Sequence, residues 1–266
     1  MSHTKPLPLD VRLMQAAGSA LFALLALVLL GALLAWVMRL PVFNIRGVTV
    51  VGDVAHYNAL TLKANVMPRL QGTFFTLDVA AARQVFETMP WVRQAVVRRD
   101  FPNRLKVQLQ EHQAVAFWGE AGDSRLVNSF GEVFEANVGE LESDNLPRLN
   151  GPSGQSAEVL AMQRTLTPLL ARMDLTLTVL EQSARGSWRA ELDTGTVLEL
   201  GSGSTPELVA RLERFLGTVT QASARYGRSV EQLASADLRH TDGYAIKLDG
   251  VSTLDTIDKN SSKSNR

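Results

Sequence analysis

The side chains able to do chemistry in this 266-residue chain are few and scattered. Cysteine is absent, which removes thiol nucleophiles, thiolate metal sites and disulfides and suits a reducing or an oxidising compartment equally. The four histidines, His3, His56, His112 and His240, form no pair at metal-ligand spacing. A nucleophile–base–acid set could be drawn from Ser129, His112 or His240 and several aspartates. No nucleophile-elbow sequence supports it, and most chains supply such a set by chance. Gly201-Ser202-Gly203 precedes a helical pattern but lacks the lysine and the spacing of a phosphate loop, so it reads as a flexible turn. Asp237, His240 and Asp242 are close in sequence, yet alternate strand residues face opposite sides, so they read as a polar edge. No enzyme activity, metal or cofactor is expected. Binding is the chemistry that remains.

Two features suit binding. The last strand-like runs, 236–240 and 244–248, flank Thr241-Asp242-Gly243 and lead into a polar tail rich in Ser, Asn and Lys. Such a closing hairpin offers an open sheet edge for another chain to extend, unless a helix or the tail covers it. Arg93, Arg98, Arg99 and Arg104 crowd around one turn, as a solvated face or as a dock for an acidic partner. The 27 basic residues equal the 27 acidic ones, so no global field draws nucleic acid.

The elements that must position these residues begin with an uncharged run, Leu13–Met38, between Arg12 and Arg39. At about 1.5 Å per residue a helix over it spans roughly 39 Å, more than the roughly 30 Å of hydrocarbon in a bilayer. It is too long and lacks the small-residue exit of a cleaved signal peptide, and too uniformly apolar for a core helix. Trp36 sits at interfacial depth and Pro41 just past the end. Lys5 and Arg12 before the run balance Arg39 and Arg46 after it, so the charge rule chooses no side.

Beyond it, the alternation over 43–51 predicts a strand ending at Gly52-Asp53, and 56–70 predicts a helix closing near Pro68. Asp78 is placed to cap a second helix whose apolar residues Val79, Ala82, Val85, Phe86 and Met89 recur at three- and four-residue spacing up to Pro90. Strands over 95–99 and 105–110 follow, joined by Phe101-Pro102-Asn103-Arg104. The order β-α-α-β-β describes a small sheet with two helices on one face. A second unit then reads as short strands over 115–118, 125–128 and 132–134, a loop over 146–154, and a helix over 157–173 bent or divided by Pro168. Strands follow over 175–181, 187–192 and 196–200, then a helix opened by Thr205-Pro206 with Leu208, Leu212, Phe215, Leu216 and Val219 on one stripe. The fold class is α+β.

An ordered set of motifs resembles one family. Pro90-Trp91-Val92-Arg93-Gln94-Ala95-Val96-Val97-Arg98 continues through Phe101-Pro102-Asn103-Arg104-Leu105-Lys106-Val107 to Glu111. Around it stand Gly47-Val48-Thr49-Val50-Val51-Gly52, Leu126-Val127-Asn128 with Gly131-Glu132-Val133-Phe134, and Leu146-Pro147-Arg148-Leu149-Asn150-Gly151-Pro152. Ser187-Trp188, Leu198-Glu199-Leu200-Gly201 and Asp237-Leu238-Arg239 near Gly243 complete it. Together, from the apolar run to about Leu248, they resemble the FtsQ/DivIB family of bacterial cell-division proteins. The chain departs from that family at Gln113, where proline is usual, at His240, where relatives often carry tyrosine, and at Leu248, where some carry tryptophan.

The resemblance implies a cytoplasmic tail (1–12), a transmembrane helix (13–38), a periplasmic POTRA domain (42–111), a mixed, mainly antiparallel β domain with helices (112–250) and a disordered C-terminal tail (251–266). It implies a non-catalytic scaffold of the divisome at the septum of the inner membrane, taking no nucleic acid and no small-molecule substrate. The implied partners are the FtsB–FtsL pair and the septal synthesis proteins FtsW and FtsI. FtsB extends the sheet in relatives, and position by position the implied contacts are Arg239, His240, Asp242, Gly243, Tyr244 and Ile246, with Arg185 as a charge partner. Tyr244 is the candidate to replace the family's aromatic anchor, since interface hot spots favour aromatics. The strand over 43–51 and the 93–104 region are the implied recruitment surface. The alternative is a POTRA-bearing periplasmic chaperone or secretion-system module, but such proteins usually repeat the POTRA unit or feed a β-barrel, and neither pattern follows here.

Overall fold

A computed structural model describes residues 9–52, 54–56, 59–141, 145–240 and 242–251. The expected tails, up to Pro8 and beyond Val251, lie outside the described residues, as do Asp53 and Thr241 in the two expected turns. The chain divides into two compact units after Glu111.

The first unit opens with α1 (Leu9–Met38), the one described helix long and apolar enough to cross a membrane. None of its Leu13–Met38 segment is buried against protein. Leucines that no protein surface covers are stable in hydrocarbon and costly in water, at about 25 cal/mol per Å² of apolar surface.

A 3₁₀ turn at Pro41–Phe43 then leads to β1 (Gly47–Gly52), α2 (Ala59–Val66), α3 (Val79–Glu87), β2 (Val92–Asp100) and β3 (Arg104–Glu111). The sheet order is β1-β3-β2, with β1 parallel and β2 antiparallel to β3. This is the expected β-α-α-β-β order. The first strand begins later than its alternation suggested, because pairing starts only where Gly47 meets Arg104 and the proline-led turn occupies 41–43. Asp78 caps α3, its Oδ1 accepting from the backbone N–H of Ala80 at 2.8 Å and Ala81 at 3.3 Å. The helices bury Leu62, Ala82 and Phe86 against Ala95, Val97, Leu105, Val107 and Leu109 of the sheet.

The second unit builds one sheet of nine strands. Its described strands are β4 (Ala114–Trp118), β5 (Arg125–Asn128), β6 (Val133–Glu135), β7 (Arg148–Asn150), β8 (Leu177–Gln182), β9 (Trp188–Leu192), β10 (Val197–Gly201), β11 (Leu233–Asp237) and β12 (Ala245–Leu248). They lie in the order β12-β11-β10-β9-β8-β7-β4-β5-β6. Five of the strand pairs are antiparallel and three parallel, so the sheet is mixed and mainly antiparallel. The segment read as a loop over 146–154 is corrected: it holds β7, a buried strand in the middle of the sheet, parallel to both neighbours. A three-residue strand between two prolines, Pro147 and Pro152, leaves no periodicity to read, and both partners are distant in sequence. α4 (Ser156–Leu170) runs through Pro168 without division. α5 (Thr205–Ala224) starts one residue after Ser204, whose N–H donates to Glu207 Oε2 at 2.8 Å.

Burial alternates along the central strands, so one face is apolar. Leu180, Ala190, Leu198 and Ala236 line up across four strands in register and are buried together with Leu160 and Leu166 of α4 and Leu212, Phe215 and Val219 of α5. The opposite row, Glu181, Arg189, Glu199 and Asp237, faces away from the helices.

Candidate functional site

The strand order makes β12 an edge. It pairs with β11 on one side, and among the described residues no strand lies on the other. The open side follows from two hydrogen bonds. The Leu238 N–H donates towards β10, to the Glu199 carbonyl at 2.8 Å, and the Asp249 N–H donates towards the β11 side, to the Gln232 carbonyl at 2.9 Å. Backbone directions alternate with period two along a strand. Ala236 therefore turns to β10, and Ile246, which stands opposite it, turns its N–H and C=O outward. The edge of β12 is a template for one more strand.

The register also gathers the expected contact residues at one end of the sheet. Gln182, Trp188 and Gly201 share a row, and the next row runs Glu181, Arg189, Glu199, Asp237 and Ala245. Arg185, in the turn between β8 and β9, and residues 238–240 and 242–244 thus lie beyond the same ends of their strands. About 5 Å separates neighbouring strands, which puts the Arg185 turn roughly 15 Å along the sheet from β12. Arg185, Arg239, His240 and Asp242 are exposed, and Gly243, Tyr244 and Ile246 are half-buried.

Each of these side chains is held differently. Arg239 forks onto Asp237: its Nε donates to Oδ1 at 2.9 Å, its Nη2 donates to Oδ2, and its backbone N–H donates to Oδ1 at 3.0 Å. That guanidinium holds the Asp237 carboxyl down at about 2, and the carboxylate in turn raises the Arg239 pKa. The stem of Arg239 crosses over Gly201, where an added Cβ would stand 2.8 Å from Arg239 Cγ, and Gly201 has φ +80°. Glycine meets both demands at once. The i,i+2 spacing of Asp237 and Arg239, which puts both on one face of a strand, is the sequence signal for this clamp.

Tyr244 turns its ring inward. It meets Phe215 edge-on at 5.2 Å and 83°, and its hydroxyl lies 2.8 Å from Thr218 Oγ1 on α5. The residue expected as the aromatic anchor thus packs its half-buried ring against its own core. Ile246 packs against the same core, while Ala245 and Lys247 face solvent. In the first unit the four arginines do not form one patch. Arg99 donates to the Leu77 carbonyl at 2.7 Å and Arg93 to Gln110 Oε1 at 3.2 Å, while Arg98 and Arg104 lie on the exposed face. His112 stacks on Phe134 at 4.2 Å with Nδ1 2.8 Å from Asn128 Nδ2, and His56 stacks on Trp91 at 3.7 Å.

Comparison with known proteins fixes the family. The family model "POTRA domain, FtsQ-type" matches residues 43–112, and "Cell division protein FtsQ/DivIB, C-terminal" matches 116–239. A cell division protein FtsQ of Thiomonas arsenitoxydans is 41% identical over 97% of this chain and 94% of its own. That of Burkholderia pseudomallei is 41% identical over 94% and 98%, and that of Bordetella pertussis 33% over 90% and 92%.

The chain belongs to the FtsQ/DivIB family.

As a member of it, the chain is a cell-division protein with one candidate transmembrane helix among its described residues, a POTRA domain and a mixed sheet carrying helices. The FtsQ/DivIB C-terminal match ends at Arg239, so the clamp on Asp237 lies inside it and β12 lies beyond it. The FtsQ relatives nevertheless align over nearly the whole chain.

Proposed function

We propose that this chain is a non-catalytic scaffold of the division machinery, anchored in the inner membrane at the septum with its N-terminus cytoplasmic and both folded units periplasmic. Its β12 edge receives an extended segment of FtsB from the FtsB–FtsL pair, and the assembled scaffold helps recruit FtsW and FtsI. The observation that carries this reading is the outward N–H and C=O of Ile246 on an edge strand whose other side is fully paired. Main-chain hydrogen bonds give such an added strand its affinity, and neighbouring side chains give it specificity. Ala245 and Lys247 on the solvent face, with Arg239, His240 and Asp242 at the strand's mouth and Arg185 farther along the sheet end, supply that second part.

The test exploits the direction of the backbone. Proline at an outward-facing edge position removes a donor for the partner while leaving the protein's own ladder whole. Ile246→Pro in the full-length protein is expected to reduce capture of the FtsB–FtsL pair at least tenfold, with hydrogen-exchange protection of β10 and β11 retained. Capture unchanged in that folded variant would move the binding edge elsewhere. Deleting the gene is expected to give filamentous cells without septa, and normal division after clean deletion would sink the scaffold reading as a whole.

A further inference from the structure

Just past the end of α1 in the first unit, four phenylalanines meet edge-on. Phe43 lies 4.9 Å from Phe75 at 71°, Phe75 lies 5.2 Å from Phe74 at 87°, and Phe74 lies 5.8 Å from Phe101 at 87°. They come from three places in the chain: the turn after α1, the segment before Asp78, and the turn between β2 and β3. A core would bury such a cluster, yet Phe101 is 72% exposed, Val42 57% and Phe75 41%. A contiguous apolar surface left open by the protein's own packing marks a place where something else covers it.

The hydrogen bonds say what lies next to it. Thr73 Oγ1 donates to the carbonyl of Met38, the last residue of α1, at 2.8 Å. The next residue's N–H, that of Phe74, donates to the Phe43 carbonyl at 2.7 Å. The aromatic cluster is therefore bonded to the very end of the apolar helix. Trp36, 63% exposed, marks the same end from within α1. The Arg46 N–H donates to the Asn103 carbonyl at 2.9 Å, and Gly47 pairs with Arg104, so two exposed guanidinium groups belong to this end of the sheet. Arg39 is the first residue beyond α1. Aromatic side chains with basic residues beside them, at the depth where a span leaves the hydrocarbon, match the chemistry of a bilayer interface.

We propose that Val42, Phe75 and Phe101 form an interfacial anchor. They seat in the acyl–headgroup boundary of the leaflet from which the C-terminal end of α1 emerges, while Arg39, Arg46 and Arg104 meet lipid phosphates. The proposal rests on α1 being the membrane span. Its consequence is a second attachment point, so that the POTRA domain is held at a fixed tilt to the bilayer instead of turning freely on 39–46.

The absence of cysteine makes the test clean, since single cysteines can be introduced one at a time. The full-length protein is reconstituted in vesicles of phosphatidylethanolamine and phosphatidylglycerol. An environment-sensitive fluorophore is placed at Asp100→Cys beside the patch, at Leu27→Cys within α1, or at Gln94→Cys, roughly 20 Å along β2. Lipids carrying a shallow quencher are expected to quench the Asp100→Cys label at least twofold more than the Gln94→Cys label. Phe75→Ser with Phe101→Ser is expected to erase that difference. Equal quenching at the two sites, with the Leu27→Cys label still quenched by deep-labelled lipid, overturns the anchor and leaves the span intact. Quenching at Asp100→Cys unaffected by the double serine variant overturns it too. A Leu27→Cys label that no lipid quencher reaches overturns the span and the anchor with it. Replacing phosphatidylglycerol by phosphatidylcholine is expected to weaken the Asp100→Cys quenching, and no change there overturns the role of the arginines.

Discussion

At the scale of single residues, the most strongly perturbed group is the Asp237 carboxyl, and its partner explains why. Two Arg239 nitrogens and one backbone N–H converge on it, favouring the charged form. A carboxyl lowered from 3.8 to about 2 contributes stability that is fully present above 3.8 and is lost as pH falls through about 2. Carboxyl carbon NMR of aspartate-labelled protein is expected to show a midpoint near that lower value. In Arg239→Ala the midpoint is expected to rise towards the ordinary aspartate value, and an unchanged midpoint would assign the shift to another cause. Asp237→Asn removes this acid-range step from the closing hairpin without altering the outward backbone of Ile246. The pair is therefore a local brace at the end of β11, and Tyr244 is a second brace before β12, through Phe215 and Thr218.

At the scale of elements, β7 shows how little local sequence a central strand needs. Leu149 is fully buried between β4 and β8 and packs under α4. Leu149→Ala removes a core side chain at a site hemmed in on both sides, and about 2–5 kcal/mol of stability is expected to go with it. Thermal unfolding of the second unit, followed by hydrogen exchange across β4 and β8, checks this; protection unchanged at both strands would place β7 outside the core. The cap of α3 is a smaller lever. Asp78→Ala leaves two helix-start N–H groups without their acceptor and is expected to cost about 1 kcal/mol, read as faster exchange in Val79–Glu87 alone. Asp78 and the Val79–Phe86 stripe were legible beforehand, because a cap and a helical period are local patterns. The strand Arg148–Asn150 was not, because parallel pairing with strands far along the chain leaves no trace in three residues.

For the whole molecule, the proposed scaffold needs attachment and recognition to be separable, with the apolar helix α1 carrying the first and the β12 edge the second. Arginine at the centre of a span costs roughly 2.5–3.5 kcal/mol on insertion. Leu25→Arg with Leu29→Arg is therefore expected to shift the full-length protein from the alkali-resistant membrane fraction into the extract, and full retention of the double variant would argue against a spanning α1. Such a variant keeps the β12 edge and is expected to bind the FtsB–FtsL pair in detergent extract while failing to support division. That contrast separates attachment from recognition.

Sequence by itself determined what depends on neighbours along the chain. The apolar run Leu13–Met38, the β-α-α-β-β order, the Asp78 cap and the α5 stripe are each fixed by composition or period. It also put the closing hairpin at an edge, though only as one of two readings. The tertiary structure decided what depends on pairing between distant segments. Strand order left one side of β12 without a strand among the described residues, register brought Arg185 to the same end of the sheet as Arg239 and Asp242, and packing laid the Tyr244 ring against the core. The clustered phenylalanines belong to that second class. Phe43, Phe75 and Phe101 are ordinary core candidates when read singly, and only the fold, by tying Thr73 to Met38, assembles them beside the end of the apolar helix.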